Sequence, residues 1–234
     1  FAQLRTGGEE HGVHAFVVPI REDGHVLPGV RVEDDGLKMG LNGVDNGRLW
    51  FDGVRIPRDH LLNRFADVTD DGRYQSPIEN PDKRFFTTLG TLVQGRVCVG
   101  GAGINAAKVA LVIATRYAIR RRQFNATSED EESLLLDYGM HQRRLFPLLA
   151  RTYALHFAQE VVSARLHDVL SGIVDDEHAR RELESRAAGT KALGTWHATR
   201  TIQEGLEAGG GAGYLAINRF AALKADTDVF TTFE

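Results

Sequence analysis

Three stretches of this chain hold residues whose types and spacing can do chemistry. Arg120-Arg121-Arg122-Gln123-Phe124 sets guanidinium groups, an amide and an aromatic ring in succession. Arginine forks match phosphate oxygens two at a time and a phenyl ring lies flat on a heterocycle, so the set suits a diphosphate joined to a planar ring. A solvated basic face, with Phe124 anchoring a helix end, accounts for the same residues, and the sequence alone favours it. Gly209-Gly210-Gly211-Ala212-Gly213 follows a long helical run. A helix C-cap explains one glycine; the excess suggests that backbone comes close to a flat ligand. Glu234, after Thr231-Thr232-Phe233, can be a catalytic base or a surface carboxylate, and its residue type does not decide between them.

Other signals dissolve on inspection. Gly101-x-Gly103-x-x-Ala106 has the spacing of a dinucleotide fingerprint, but that motif needs a preceding strand and an acid about 20 residues later at the end of a second strand. Here the flanks read as helix on one side and as the basic run on the other. The small residues instead let a helix approach a neighbour or a ligand closely. The nine histidines show no metal-binding spacing, and His11 and His14, three apart on an expected strand, fall on opposite faces. Core or surface histidines are the default, and no nucleophile elbow is present either. Arginine outnumbers lysine 23 to 5, a bias that genomic base composition explains as well as phosphate binding does.

Composition bounds the rest. At 234 residues and 25.8 kDa, with 42% hydrophobic and 26% charged residues, the chain has room for one large domain or two. A net charge of -4 argues against a nucleic-acid binder working through a broad positive field. With no 18-residue apolar run, no membrane span is expected. Cys98 is the single cysteine, which excludes an internal disulfide and fits a reducing compartment. The chain starts at Phe1 without Met or signal peptide and stops at Glu234, and it reads as an internal fragment in which terminal targeting signals are not visible.

The elements that must position these residues fall into two parts. Residues 11–57 alternate as strands, with Glu22-Asp23-Gly24 and Asp45-Asn46-Gly47 as turns, and 58–81 reads as a linker. From residue 82 three tracts have helical spacing, 82–124, 131–171 and 176–208. Leu89, Leu92, Val93, Val97, Ile104, Val109 and Leu111 mark the buried side of the first. Leu145, Leu148, Leu149, Thr152, Leu155 and Val162 mark that of the second, which contains Pro147. Long helices with short loops predict an antiparallel bundle. The expected fold is α+β, with residues 1–80 a partial, barrel-like antiparallel β domain plus linker and 81–234 a helical bundle.

Five stretches in this order carry a resemblance: Gly43-Val44-Asp45-Asn46-Gly47-Arg48-Leu49-Trp50-Phe51, Val54-Arg55-Ile56-Pro57-Arg58, Arg121-Arg122-Gln123-Phe124, Gly210-Gly211-Ala212-Gly213-Tyr214 and Thr232-Phe233-Glu234. Together the chain resembles the acyl-CoA dehydrogenase and oxidase superfamily, and more closely the oxidases. The resemblance implies a β domain followed by a bundle of the acyl-CoA dehydrogenase type, FAD as cofactor, acyl-CoA and molecular oxygen as substrates, and a homodimer. It implies Glu234 as the base that removes the α-proton, and Arg121, Gln123, Phe124, Gly210 and Gly211 as FAD contacts. Arg96 would lie near the substrate, and no metal is implied. The compartment would be cytoplasmic in a bacterium and peroxisomal in a eukaryote. An acyl-CoA dehydrogenase passing electrons to a flavoprotein, or a non-catalytic bundle that binds CoA or a partner, are the alternatives. The chain departs from the oxidase pattern at Gly205-Leu206, often Cys-Arg, and at Ala212, often His.

Overall fold

The computed structural model describes residues 1–90, 92–125 and 130–232, in two compact units: residues 1–38 with 43–90, and residues 39–42 with 92–232. In the first unit, β1 (Ala2–Thr6) pairs antiparallel with β2 (Glu9–His14), and β3 (Arg21–Glu22) pairs with β4 (His25–Val26). β5 (Val30–Asp34) pairs with β6 (Gly47–Phe51), and β7 (Asp67–Val68) with β8 (Tyr74–Gln75). The expected partial barrel is thus described as four two-stranded antiparallel ladders. Asp23 and Gly24 turn the β3–β4 hairpin at φ 47° and 80°, as their tolerance of left-handed backbone predicts. Asp45-Asn46-Gly47, by contrast, enters β6 at the end of a long connection.

One expectation about this unit is corrected. His11 and His14 do not diverge: His11 stacks on Tyr74 at 4.0 Å between ring centroids, and His14 Nε2 lies 3.0 Å from Tyr74 Oη. Gly12, at φ 83°, and a register shift in the β1–β2 ladder break the two-residue alternation that put them on opposite faces. α1 (Pro81–Leu89) starts with proline in its first turn and Asn80 Oδ1 accepting from the Lys83 amide at 2.9 Å. Its buried Arg84 donates to the carbonyls of Ile78, at 2.9 Å, and His11, which ties α1 to β2.

The second unit is an up-down-up-down bundle of α2 (Leu92–Ala118), α3 (Gly139–Leu170), α4 (Glu177–Ala208) and α6 (Phe220–Thr232), with the short α5 (Gly210–Gly213) between the last two. The first expected helical tract is split into α1 and α2 and ends at Ala118, so the arginine run lies beyond it. The second begins at Gly139, after a 3-10 turn at Leu135–Asp137. Leu92, Val109 and Leu149, expected inside, are exposed. The interior of α2 is instead a stripe of Gly100, Gly103, Ala106, Ala107, Ala110, Ala114 and Ala118, whose lack of bulk hides it from a hydrophobic pattern.

That stripe packs against α4. A methyl group added at Gly103 would sit 3.3 Å from the Gly194 carbonyl oxygen and the Thr195 Cα, and one at Gly194 would lie 3.1 Å from Ile104 Cγ1. Two helix backbones at that spacing exclude larger residues, so Gly101-x-Gly103-x-x-Ala106 is a helix-packing surface. α2 is long and apolar enough to cross a bilayer by length and composition, with a mean hydropathy of 1.8, but half of that window is buried within the unit. Two clusters fill the bundle: Leu111, Leu145, Leu148, Ile202 and Phe220 towards one end, Val93, Val97, Val162 and Leu183 towards the other.

Candidate functional site

The C-terminal end of α2 releases the chain into a loop built by backbone pairing. The Arg121 amide donates to the Tyr117 carbonyl at 2.8 Å, closing the helix, and the Arg121 carbonyl accepts from the Leu135 amide at 2.9 Å. Gln123 and Phe124 exchange bonds with the buried Ser133, at 2.9 and 2.8 Å, and Tyr138 Oη donates to the Gln123 carbonyl at 2.6 Å. Arg122 turns back onto this wall, donating to the Glu132 carbonyl at 2.7 Å and pairing with Glu131 at 3.2 Å. Arg121 is left outward with no ion pair among the described residues.

Phe124 is held at φ 60°, unfavourable for a residue with a Cβ, and its ring is 68% exposed. Hydrogen bonds on both sides therefore fix an exposed aromatic ring in a costly conformation, which is how functional loops commonly carry strain. The loop offers a guanidinium, a half-buried amide and a flat ring to whatever lies against it.

The glycine turn separates into two kinds of position. A methyl group at Gly209 would lie 2.9 Å from the Gly213 Cα, and one at Gly213 would run into the Leu206 carbonyl. Those two are glycine because the turn packs on the last residues of α4. At Gly210 and Gly211 a methyl group would meet nothing within 4 Å, and Gly210 is in the left-handed region at φ 53°. The two glycines that the resemblance places against FAD are thus the two with open faces, where a ligand can come close to the backbone. An isoalloxazine or other flat ring fits such a surface.

α2 and α4 run parallel, since Gly100 packs on Lys191 and Gly103 on Thr195, so the Arg121–Phe124 loop and the Gly210-Gly211 turn lie at the same end of the bundle. Arg96, on the exposed side of α2, lies near the other end: the 22 residues from Arg96 to Ala118 span about 33 Å of helix. α6 returns from the glycine end, with Phe220 buried against Gly205. Glu234, the expected base, lies outside the described residues.

Sequence reasoning missed two features of this end. His197 on α4 is buried, with Nε2 2.7 Å from Thr152 Oγ1 of α3. The Thr152 hydroxyl donates to the Leu148 carbonyl at 2.8 Å, so it accepts from His197, whose Nε2 carries the proton. Burial first, and then the Arg151 and Arg200 charges, depress its pKa to about 4, so the ring is neutral. The second feature is an open groove of about 280 Å³ between α3 and α4, lined by Met140, Arg143, Arg144, Pro147, Leu148, Arg151, Arg200 and Glu204. Spacing could have found neither, because each joins residues some 50 positions apart.

Comparison with known proteins gives this geometry a context. Residues 89–234, more than half of the chain, match the acyl-CoA oxidase C-alpha1 domain. The peroxisomal acyl-coenzyme A oxidase 3 of Arabidopsis thaliana is 46% identical over 235 residues, an alignment covering all of this chain and 34% of that protein. The crystal structure of acyl-CoA oxidase 1 from Yarrowia lipolytica superposes with a TM-score of 0.89 at 37% identity, over 100% of this chain and 36% of that one. Acyl-CoA oxidase-1 of Caenorhabditis elegans, solved with FAD and ATP, superposes at 0.86 with 31% identity, over 99% and 34%. The chain spans about a third of the length of these relatives. With that match covering the Arg121–Phe124 loop and the glycine turn alike, the chain belongs to the acyl-CoA oxidase family.

Proposed function

We propose that the full-length protein oxidises acyl-CoA to trans-2-enoyl-CoA in fatty acid β-oxidation, with FAD as cofactor and oxygen reduced to hydrogen peroxide. The observation that carries this reading is the open-faced Gly210-Gly211 turn at the bundle end that also presents Arg121, Gln123 and Phe124. A relative solved with FAD supports the choice of cofactor. Residues 1–80 are read as the later part of a middle β domain, its ladders belonging to a partial barrel in the whole protein, and 81–234 as the FAD-binding catalytic domain. A homodimer, with each loop serving its partner's cofactor, and a peroxisomal location complete the reading; the Arabidopsis relative is named peroxisomal.

When bound, FAD supplies the acceptor for the hydride that leaves the acyl β-carbon. This chain supplies the other half: Glu234 takes the α-proton as its C–H bond breaks. That hydrogen is not acidic in water, so the carboxylate must stand within hydrogen-bond reach and donors must hold the thioester oxygen as negative charge builds on it. Arg121 would pair with the cofactor's diphosphate, Gln123 would hydrogen-bond it, and Phe124 would cover its ring system. Gly210 and Gly211 let backbone lie against it where a side chain would intrude. Arg96, exposed and without an ion pair among the described residues, would meet the anionic substrate.

Two measurements on the full-length protein test the reading. Glu234→Gln should keep its flavin absorbance while turnover falls roughly 10²–10⁴-fold, the usual loss for a positioned general base; near-normal turnover would sink the base assignment. Anaerobically reduced enzyme mixed with oxygen in a stopped-flow instrument should reoxidise fast and release peroxide. Sluggish reoxidation would make it a dehydrogenase.

A further inference from the structure

α6 leads to Glu234 in sequence, and it is held from two sides. At about 100° per residue Phe220, Leu223, Lys224 and Thr227 share one side of the helix, which faces the bundle. Phe220 is buried against Gly205 of α4, Leu223 packs on the core cluster that includes Ile202, and Thr227 is buried. Lys224 Nζ donates to Gln203 Oε1 of α4 at 2.5 Å. Ala225 and Asp226 fall on the opposite side, where residues 39–42 meet the helix. The Leu41 amide donates to Asp226 Oδ1 at 2.7 Å. A methyl group on Gly40 would run into the Ala225 carbonyl and stand 2.6 Å from the Asp226 amide nitrogen. Leu41 has φ 51°, a left-handed conformation that is costly for a residue with a Cβ and persists where its surroundings over-determine it. Those surroundings are the Asp226 carboxylate and the close Gly40–Ala225 backbone. α6 is thus clamped between α4 and the 39–42 segment.

The outer half of this clamp buries little, since Asp226 and Met39 are both exposed. A hydrogen bond in so open a place adds little to stability, yet with the Gly40 contact it fixes the rotation and axial position of the helix. Eight residues separate Asp226 from Glu234, and α6 ends at Thr232, two residues before it. We propose that Asp226 is a positioning residue for the base: by holding the Leu41 amide, its carboxylate sets the point from which Glu234 reaches the acyl α-carbon. The inference rests on the proposed reaction and on Glu234 as its base. Each residue of helix advances about 1.5 Å and turns about 100°, so a slip of α6 by a fraction of a turn is enough to take a carboxylate out of hydrogen-bond reach. Asp226 moves no proton itself and acts only through Glu234.

Stopped-flow reduction of the full-length, FAD-loaded protein by an acyl-CoA, with rates normalised to bound flavin, tests it. D226A removes the acceptor and should slow flavin reduction at saturating acyl-CoA roughly 10- to 100-fold, with the apparent Kd for acyl-CoA changed less than about twofold. D226N, whose amide oxygen still accepts from Leu41, should recover most of the rate. G40A, which drives the segment off the Ala225 carbonyl, should slow reduction in the same way from the other side of the contact. In the E234Q background D226A should add no further loss, whereas a merely structural defect would add its own. Wild-type rates in both D226A and G40A, equal rates in D226A and D226N, or a loss that multiplies with that of E234Q overturns the proposal. A near-normal rate for E234Q alone overturns the base assignment and this inference with it, so the two failures are distinct.

Discussion

At the scale of single residues the glycine turn is where packing and ligand contact can be told apart. Gly213 faces the Leu206 carbonyl, and Gly211 faces open space. Alanine also suits a helical backbone better than glycine does, by about 0.5–1 kcal/mol. Gly211→Ala in the full-length protein should therefore leave the unfolding temperature unchanged or slightly raised while weakening FAD retention, because its methyl group would stand where the proposed cofactor contact lies. Gly213→Ala should lower the unfolding temperature by several degrees through a backbone clash. Equal flavin content and equal midpoints for Gly211→Ala and wild type would remove Gly211 from the cofactor site. The sequence could show that there were too many glycines for a cap. It could not show which were spare, since that depends on Gly213 folding back against Gly209 and the Leu206 carbonyl. In the arginine run the residue types were legible but not their division of labour: Arg122 is spent on Glu131 and Glu132, and Arg121 is left outward.

At the scale of elements, what was readable followed from side-chain size. Val93, Val97, Ile104 and Leu111 mark the inner face of α2 because they are large. The closest approach in the bundle is made by glycine and alanine, which carry no hydrophobic pattern and imitate a nucleotide-binding motif instead. The α3–α4 contact was less legible still, for its centre is polar: Thr152 and His197 join helices that spacing treats as separate. That bond makes a pH prediction. His197 has a pKa of about 4 in the fold, below its usual 6.5, so the unfolded chain takes up the proton first. Its stability contribution is then complete above about pH 6.5 and is lost as pH falls towards about 4, amounting to roughly 2 kcal/mol between pH 7 and pH 5. His197→Gln keeps a donor for Thr152 and removes the titration. The midpoint of urea unfolding should fall less steeply with acid in that variant than in the wild type, and parallel curves would show that His197 does not carry the effect.

At the scale of the molecule, the surface of the helical unit shows that burial is incomplete within residues 1–234. Phe146, Tyr153, Phe157 and Val161 stand out along α3, and Leu193 and Trp196 along α4, with Phe157 58% and Trp196 62% exposed. An apolar surface of that extent, running over several turns of two helices, is the mark of a face covered by protein, because leaving it in water costs about 25 cal/mol per Å². The chain spans about a third of its relatives' length, which leaves ample protein, from the same chain or from a second subunit, to cover it. The Arg121–Phe124 loop points the same way, since Phe124 is exposed and Arg121 stands outward without an ion pair among the described residues. Residues 1–234 expressed alone should therefore bind a hydrophobic dye such as ANS strongly, associate as concentration rises, and purify without flavin or oxidase activity. The full-length protein should bind little dye and carry about one FAD per subunit as a stable homodimer, by the shielding that burial of such faces implies. Light scattering and dye fluorescence on the two proteins side by side would decide the matter. A monomeric, dye-silent 234-residue chain would mean that these helix faces are tolerated in water and that the cover inferred for them is not needed.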